Sequence, residues 1–283
     1  MLLRVRVPHF LILQEVRKSM SSYPKASVQH AQRVAIVTGV GAGTGGLGRG
    51  IAARLFKEGL AVMAADIDPA VAQVIQEIAQ VQGVGLDLFG SFSGDLGVES
   101  NVKAMVEQTF ARWGRIDVLI NNAGSGVIRP FLEHDSESLA TTLNRNLWTT
   151  LWCCHKVLPH MVEANHGRII NIGADSLRTG IPNHAGYNAA KGGVIGLMVG
   201  LAKEFAQYDI TVNTVSPCVI NTQRHREALR ASKEATKEFV RVVPKGRGVE
   251  IDELCDMVAF LARKESAFMT GQDISFNGGS AMP

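Results

Sequence analysis

The sequence predicts a single doubly wound α/β domain, with a parallel sheet and helices on both faces. Three observations predict it. Short β-branched apolar runs alternate with helical spacings from Arg33 onward, and such alternation builds parallel strands joined by right-handed helical crossovers. The runs are apolar almost throughout, as strands covered on both faces are. No internal repeat or linker-like stretch divides residues 31–283.

The elements follow in order. RVAIVT is the first strand, and the glycine-rich turn TGVGAGTGGLGRG follows it. The next segment carries Leu47, Ile51 and Leu55 at helical spacing. LAVMAAD is a second strand ending at Asp66, and PAVAQVIQEIAQ a second helix. RIDVLINNAG, GRIINIG and ITVNTVSP are three more strands, each preceded by a helical segment. LNRNLWTTLWCCHKVLP reads as one long amphipathic helix carrying Asn146.

Composition narrows the function classes. A chain of 283 residues that is 46% apolar and 19% charged supports a large core. A net charge of +3 argues against nucleic acid as a partner. Four cysteines imply no disulfide framework, and the adjacent Cys153 and Cys154 read as buried thiols. No cysteine or histidine cluster has zinc spacing, so no metal site is expected. No apolar run reaches the roughly 18 residues of a membrane span, so no membrane partner is expected.

Residues 1–30 are expected to lie outside the core fold. MLLRVRVPHFLILQEVRKS places basic residues around FLIL, a run too short for a signal-peptide core. It reads as an upstream extension, with a mitochondrial presequence as the alternative. The expected compartment is the cytoplasm.

In a doubly wound sheet, ligands bind beyond the carboxyl ends of the strands, where strand order reverses. Glycines after the first strand let the backbone approach a diphosphate, and the following helix offers free N–H groups. Asp66 ends the second strand eighteen residues after Gly48. A carboxylate there accepts hydrogen bonds from an adenosine ribose and repels a 2′-phosphate. This pattern points to NAD rather than NADP.

Several motifs stand in one order: Thr38-Gly39 through Gly46-x-Gly48, Asp66, Asp95-Leu96, Asn121-Asn122-Ala123-Gly124, and Asn146. The Tyr187/Lys191 pair, Pro217 with Thr222, and the closing TGQDISFNGG complete the series. From Arg33 to the end the chain resembles the short-chain dehydrogenase/reductase superfamily. The resemblance implies a Rossmann-type, NAD-dependent enzyme that interconverts a secondary alcohol and a ketone. It places Gly39, Gly46, Leu47, Gly48, Asp66, Asp95, Leu96, Asn122, Ala123, Gly124, Tyr187, Lys191, Ile220 and Thr222 around the cofactor. It makes Tyr187 the acid–base group, Lys191 its activator, and Asn146 the holder of a relay water. It also implies a homotetramer, with a dimer next.

Elementary chemistry gives the pair its meaning. A phenol with a pKa near 10 is a poor base at neutral pH. An ammonium about 4 Å away, at an effective dielectric of about 20, favours the phenolate by on the order of 4 kcal/mol before desolvation. Tyr187 and Lys191 are four residues apart, on one helical face.

Three departures from the family pattern stand out. Gly39 to Gly46 encloses six residues, an apparent insertion of three. Cys218 follows Pro217 where a glycine is usual. Ala174 occupies the position of the family's catalytic serine, thirteen residues before Tyr187. Ser176 is the nearest hydroxyl on that loop and is expected to meet the substrate oxygen, with His184 as another possible donor. Ala174 also admits an alternative, a catalytically silent cofactor-binding partner of an active homologue. Residues 223–247 are rich in basic side chains and are expected to form a substrate lid, suited to an anionic or acyl-thioester substrate. Val127, Ile128, Leu177 and Ile181 are expected to give the pocket apolar walls.

Overall fold

Five apolar runs form the strands that the sequence marks, and two more polar segments add an edge at either side. The strands are β1 (Val34–Thr38), β2 (Ala61–Asp66), β3 (Phe89–Ser93), β4 (Val118–Asn121), β5 (His166–Ile172), β6 (Asp209–Pro217) and β7 (Asp273–Phe276). They pair in parallel in the order β3-β2-β1-β4-β5-β6-β7. The chain turns back between β1 and β4, so the switch point lies beyond their carboxyl ends. The computed structural model describes residues 32–41, 46–222, 226–227, 230–231, 234 and 242–282. The expected extension at 1–30, residues 42–45 of the glycine turn and most of the expected lid lie outside these.

Side-chain alternation along the central strands builds two cores, one on each face. Ala35, Val37, Val62 and Ala64 face Ile51 and Leu55 of α1 (Leu47–Lys57), Val74 and Ile75 of α2 (Val71–Val81), and α8 (Ile251–Leu261). Val34, Ile36, Leu119 and Ile169 face Met105 of α3 (Glu99–Trp113), Val157 and Met161 of α5 (Thr149–Ala164), and Met198 of α7 (Ala185–Glu204). Each fully buried large aliphatic side chain stabilises the fold by about 1.5–3 kcal/mol.

The long helix expected around Asn146 is helical throughout, as one run of α4 (Ser136–Leu143), a π-turn and α5. α4 starts at Asp135, whose carboxylate accepts from the Ser138 amide at 2.8 Å. The Ser138 hydroxyl accepts in return from the Asp135 amide at 3.1 Å, a reciprocal cap. A π-turn at Asn144–Trp148 follows, and then α5. A π-turn inserts an extra residue per turn and is common at functional sites. Here it carries Asn146, which is completely buried. The short helix α6 (Ser176–Thr179) lies between β5 and α7.

Candidate active site

The turns after β1 and β4 are stitched together across the switch point. The Thr38 hydroxyl accepts from the amides of Asn122 and Ala123 at 3.0 and 2.9 Å. The Asn122 side chain donates to the carbonyls of Thr38 and Gly39 at 3.0 and 2.9 Å. Asn122 therefore holds the glycine turn, and Thr38 is a second pin that the motif reading left without a role. Gly39 has φ +74°, and a Cβ there would lie 2.8 Å from Ala123 Cα. Both the left-handed backbone and the close approach exclude a side chain.

Asp66 sits under this turn. It is buried, and its two carboxylate oxygens accept from the amides of Gly41 at 2.6 Å and Asp68 at 2.9 Å. A Cβ on Gly41 would lie 2.6 Å from the Asp66 carboxyl carbon. Asp95 accepts from the Gly97 amide at 2.8 Å, with Leu96 buried beside it. Ile220 forms a parallel bridge with Val249, and the Thr222 amide donates to the Ile220 carbonyl at 2.7 Å.

Tyr187 and Lys191 share a face of α7 at the end of β5. The buried Lys191 ammonium donates to the Ile172 carbonyl at 2.7 Å and lies 5.8 Å from the centre of the Tyr187 ring. Burial pulls Lys191 down to about 8 and pushes Tyr187 up to about 12. The attraction expected of the lysine is thus offset by desolvation. At this separation desolvation exceeds attraction, so the protein by itself holds Tyr187 as a neutral phenol. The Tyr187 hydroxyl has no hydrogen-bond partner among the described residues. Gly126 clears its ring, since a Cβ there would lie 2.6 Å from Tyr187 Cδ2.

The Asn146 amide donates to the carbonyls of Thr142 and Ser125 at 2.8 and 2.9 Å. Its oxygen is buried without a protein partner. A Cβ on Gly124 would lie 2.5 Å from that oxygen and 3.5 Å from the Lys191 nitrogen. The amide oxygen and the ammonium thus flank Gly124 together, and an orphaned buried acceptor of this kind suits a water. Asn144, two residues earlier, faces elsewhere and packs on Gly97.

The loop after β5 is tightly tied. Ala174 is buried, with 7% exposure. The Asp175 carboxylate is wholly buried and accepts from Arg178 at 3.0 Å, Ser275 at 2.9 Å and Asn277 at 2.8 Å. Arg178 reaches on to Asp273 at 2.7 Å. This hub joins the loop to β7, and nothing in the local spacing announced it. The geometry disfavours the expected role of Ser176 at the substrate oxygen. Its buried hydroxyl donates to Asn188 Oδ1 at 2.6 Å, and the Asn188 amide returns to the Ser176 carbonyl at 3.1 Å. His184 Nδ1 lies 2.8 Å from the Pro182 carbonyl, and its ring stands edge-on to Tyr187 with centroids 6.1 Å apart. Of the expected wall residues, Val127, Leu177 and Ile181 are half-buried and Ile128 is exposed.

Residues 41–281 match the family model described as Enoyl-(Acyl carrier protein) reductase. The chain belongs to the short-chain dehydrogenase/reductase superfamily. Within it, the chain is similar to 2,3-dihydroxy-2,3-dihydro-p-cumate dehydrogenase of Pseudomonas putida, at 46% identity over 263 residues, 93% of this chain and 100% of the relative. It is also similar to 1,6-dihydroxycyclohexa-2,4-diene-1-carboxylate dehydrogenase of Acinetobacter baylyi, at 34% identity over 258 residues, 87% of this chain and 95% of the relative. Among solved structures, NAD+-bound xylitol dehydrogenase matches with a TM-score of 0.78 and 29% identity, over 89% of this chain and 100% of that one.

This short-chain dehydrogenase/reductase is an NAD(H)-dependent oxidoreductase acting between secondary alcohols and ketones. The comparisons give no support to a silent partner subunit. The described residues fit the cofactor. Gly39 and Gly41 leave a cradle that a Cβ would fill, and Asp66 places a buried carboxylate at its floor. A cavity of about 320 Å³ lies elsewhere, beside Cys218, Lys245, Arg247, Glu253, Phe276 and Asn277. It contains none of Tyr187, Lys191 or Asn146, so side-chain chemistry, not cavity size, marks the site.

Proposed function

We propose that the chain oxidises one carbinol of a ring-borne vicinal dihydrodiol, passing a hydride to NAD+. One observation carries this reading: a relative named for such a diol matches along its entire length at 46% identity. The second relative described above is named for a ring with adjacent hydroxyls too. Both names specify a ring carboxylate, which suits the basic residues expected in the lid.

The catalytic roles are proposals resting on the geometry. Tyr187 exchanges the carbinol proton, because its hydroxyl has no partner among the described residues and Gly126 leaves room for its ring. Lys191 supplies positive charge near the phenol, and Asn146 with a bound water links that ammonium onward. Bound NAD+ supplies the hydride acceptor and a further positive charge. Gly39, Gly46, Leu47, Gly48, Asn122, Ala123 and Gly124 shape its diphosphate and central region. Asp66, Asp95 and Leu96 take the adenosine end, and Ile220 and Thr222 the nicotinamide end. Ser176 holds α7 through Asn188.

NADH formation from NAD+ and a cis-dihydrodiol of a benzoate-type ring, followed at 340 nm, tests the reading. Turnover is expected with the diol. Turnover confined to acyl-thioester substrates would overturn it.

We also propose a homotetramer working in the cytoplasm. Exposed Trp148, Val199 and Phe268 are apolar surface suited to subunit contact. Four free thiols suit a reducing compartment. Light scattering at micromolar concentration tests the assembly, and a stable monomer would contradict it.

A further inference from the structure

The wall beside Tyr187 offers the substrate oxygen no free side-chain proton. Ala174 presents a buried methyl group. The Ser176 proton is given to Asn188. Asp175 is an acceptor already bonded to Arg178, Ser275 and Asn277. Arg178 is spent on Asp175 and Asp273, and the Thr179 hydroxyl donates to the Asp175 carbonyl at 3.3 Å. With His184 Nδ1 donating to the Pro182 carbonyl, its Nε2 can only accept in the neutral ring. Residues 174–179 thus form a wall whose hydroxyls and guanidinium are committed before substrate arrives.

Carbinol oxidation and carbonyl reduction at this wall are still accelerated by a second hydrogen bond to the reacting oxygen. Negative charge develops on the carbinol oxygen as its proton leaves, and one missing donor at such an oxygen typically costs about a hundredfold to a thousandfold in rate. A vicinal diol carries its own donor. The neighbouring hydroxyl is held beside the reacting oxygen by the ring, so no further ordering is needed to bring it there. A methyl group at residue 174 leaves that hydroxyl room and does not compete for the same lone pair.

We infer that Ala174 is a specificity determinant, and that the substrate's second hydroxyl supplies the hydrogen bond that the protein lacks. The inference rests on the dihydrodiol reading above. In the step, the carbinol C–H and O–H bonds break and a C=O bond forms. The C–H pair leaves as hydride to NAD+, giving NADH, and the O–H proton passes to Tyr187 as the phenol, beside the positive charges of Lys191 and NAD+, gives its own proton to solvent. The second hydroxyl keeps its proton throughout and donates it to the oxygen that becomes the carbonyl. The chain should therefore oxidise diols well and otherwise similar mono-alcohols poorly.

Three stable probes separate the contributions: cis-1,2-indandiol, 1-indanol and cis-2-methoxy-1-indanol. The ether keeps the bulk and the acceptor of the diol but has no proton to donate. With wild-type protein, kcat for the diol should exceed that for both others by at least about a hundredfold, with KM changing much less. Ala174→Ser should raise kcat on 1-indanol and the ether by about tenfold or more and leave the diol within about threefold. Ala174→Gly, which adds no donor, should give no such rescue. NADH binding by fluorescence should be the same in all three proteins, which controls for folding. Oxidation of the ether at the rate of the diol would overturn the inference while leaving the dihydrodiol reading intact. So would a tenfold loss on the diol in Ser125→Ala, which would assign the donor to that exposed hydroxyl. Failure to oxidise any of these alcohols, together with a benzoate-type dihydrodiol, would overturn both.

Discussion

The ammonium of Lys191 rests 2.7 Å from the carbonyl oxygen of Ile172, at the end of the strand that leads into Ala174. One bond thus fixes the cation to the sheet and sets the position of α7, on which Tyr187 rides. The same burial that fixes the lysine lowers its proton affinity.

Tyr187→Phe tests the acid–base role. Turnover should fall by about a hundredfold to ten-thousandfold, the usual scale for a positioned proton-transfer group. NADH fluorescence titration should show unchanged cofactor affinity. Retention of most of the turnover would exclude the role.

The pH behaviour of the phenol follows from its surroundings. Burial raises Tyr187 to about 12, so its neutral form is favoured and phenolate is a minor form of the cofactor-free protein at pH 10. Phenolate absorbance at 295 nm, wild type minus Tyr187→Phe, should therefore rise only as pH approaches 12. Addition of NAD+ should move that rise to lower pH, because it adds positive charge. A cofactor-free titration centred near 10 would contradict the burial argument.

Lys191 has the opposite sign of effect on stability. Its folded-state value, about 8, lies below its ordinary 10.5, so the folded state disfavours the charged form. That cost is present in full below pH 8 and is relieved as pH rises toward 10.5. The unfolding free energy of wild type relative to Lys191→Met should increase with pH across this window, by up to about 1.4 kcal/mol per unit. Denaturant titrations at pH 7, 8.5 and 10 measure it, and a flat difference would refute it.

Ser176→Ala separates a clamp from a catalyst. Loss of its hydrogen bond to Asn188 should cost about 1 kcal/mol of stability, measured by urea unfolding. Turnover should change by less than tenfold. A larger fall in kcat at unchanged stability would restore the substrate-oxygen role.

Asp66→Ala should weaken NADH binding by about tenfold to a hundredfold, as expected for losing one or two hydrogen bonds to a ribose. The preference over NADPH should shrink further, because repulsion of a 2′-phosphate goes too. Paired fluorescence titrations decide it.

Much of this site was legible because it is local. Tyr187 and Lys191 declare themselves by spacing, and Asp66 by ending an apolar run. β1, β2, β4, β5 and β6 are buried runs rich in apolar residues. β3, FGSFS, and β7, DISF, are short sheet edges whose glycine, serine and aspartate dilute the strand signal. The π-turn around Asn146 has no glycine or proline to mark it; it follows from how α4 and α5 pack. The fate of Ser176 depends on Asn188, twelve residues on, and that of Asp175 on partners about a hundred residues on. No periodicity carries such pairings.

The partners of Asp175 also fix an order in time. A ribosome makes this loop about a hundred residues before it makes Ser275 and Asn277. Until then a carboxylate that the finished fold encloses has only Arg178 for company, and the loop has reason to stay wet. The pocket wall can settle only when the final strand docks. Without Ser275 and Asn277 in place, the loop beside Tyr187 lacks two of the three side-chain donors that satisfy its buried carboxylate.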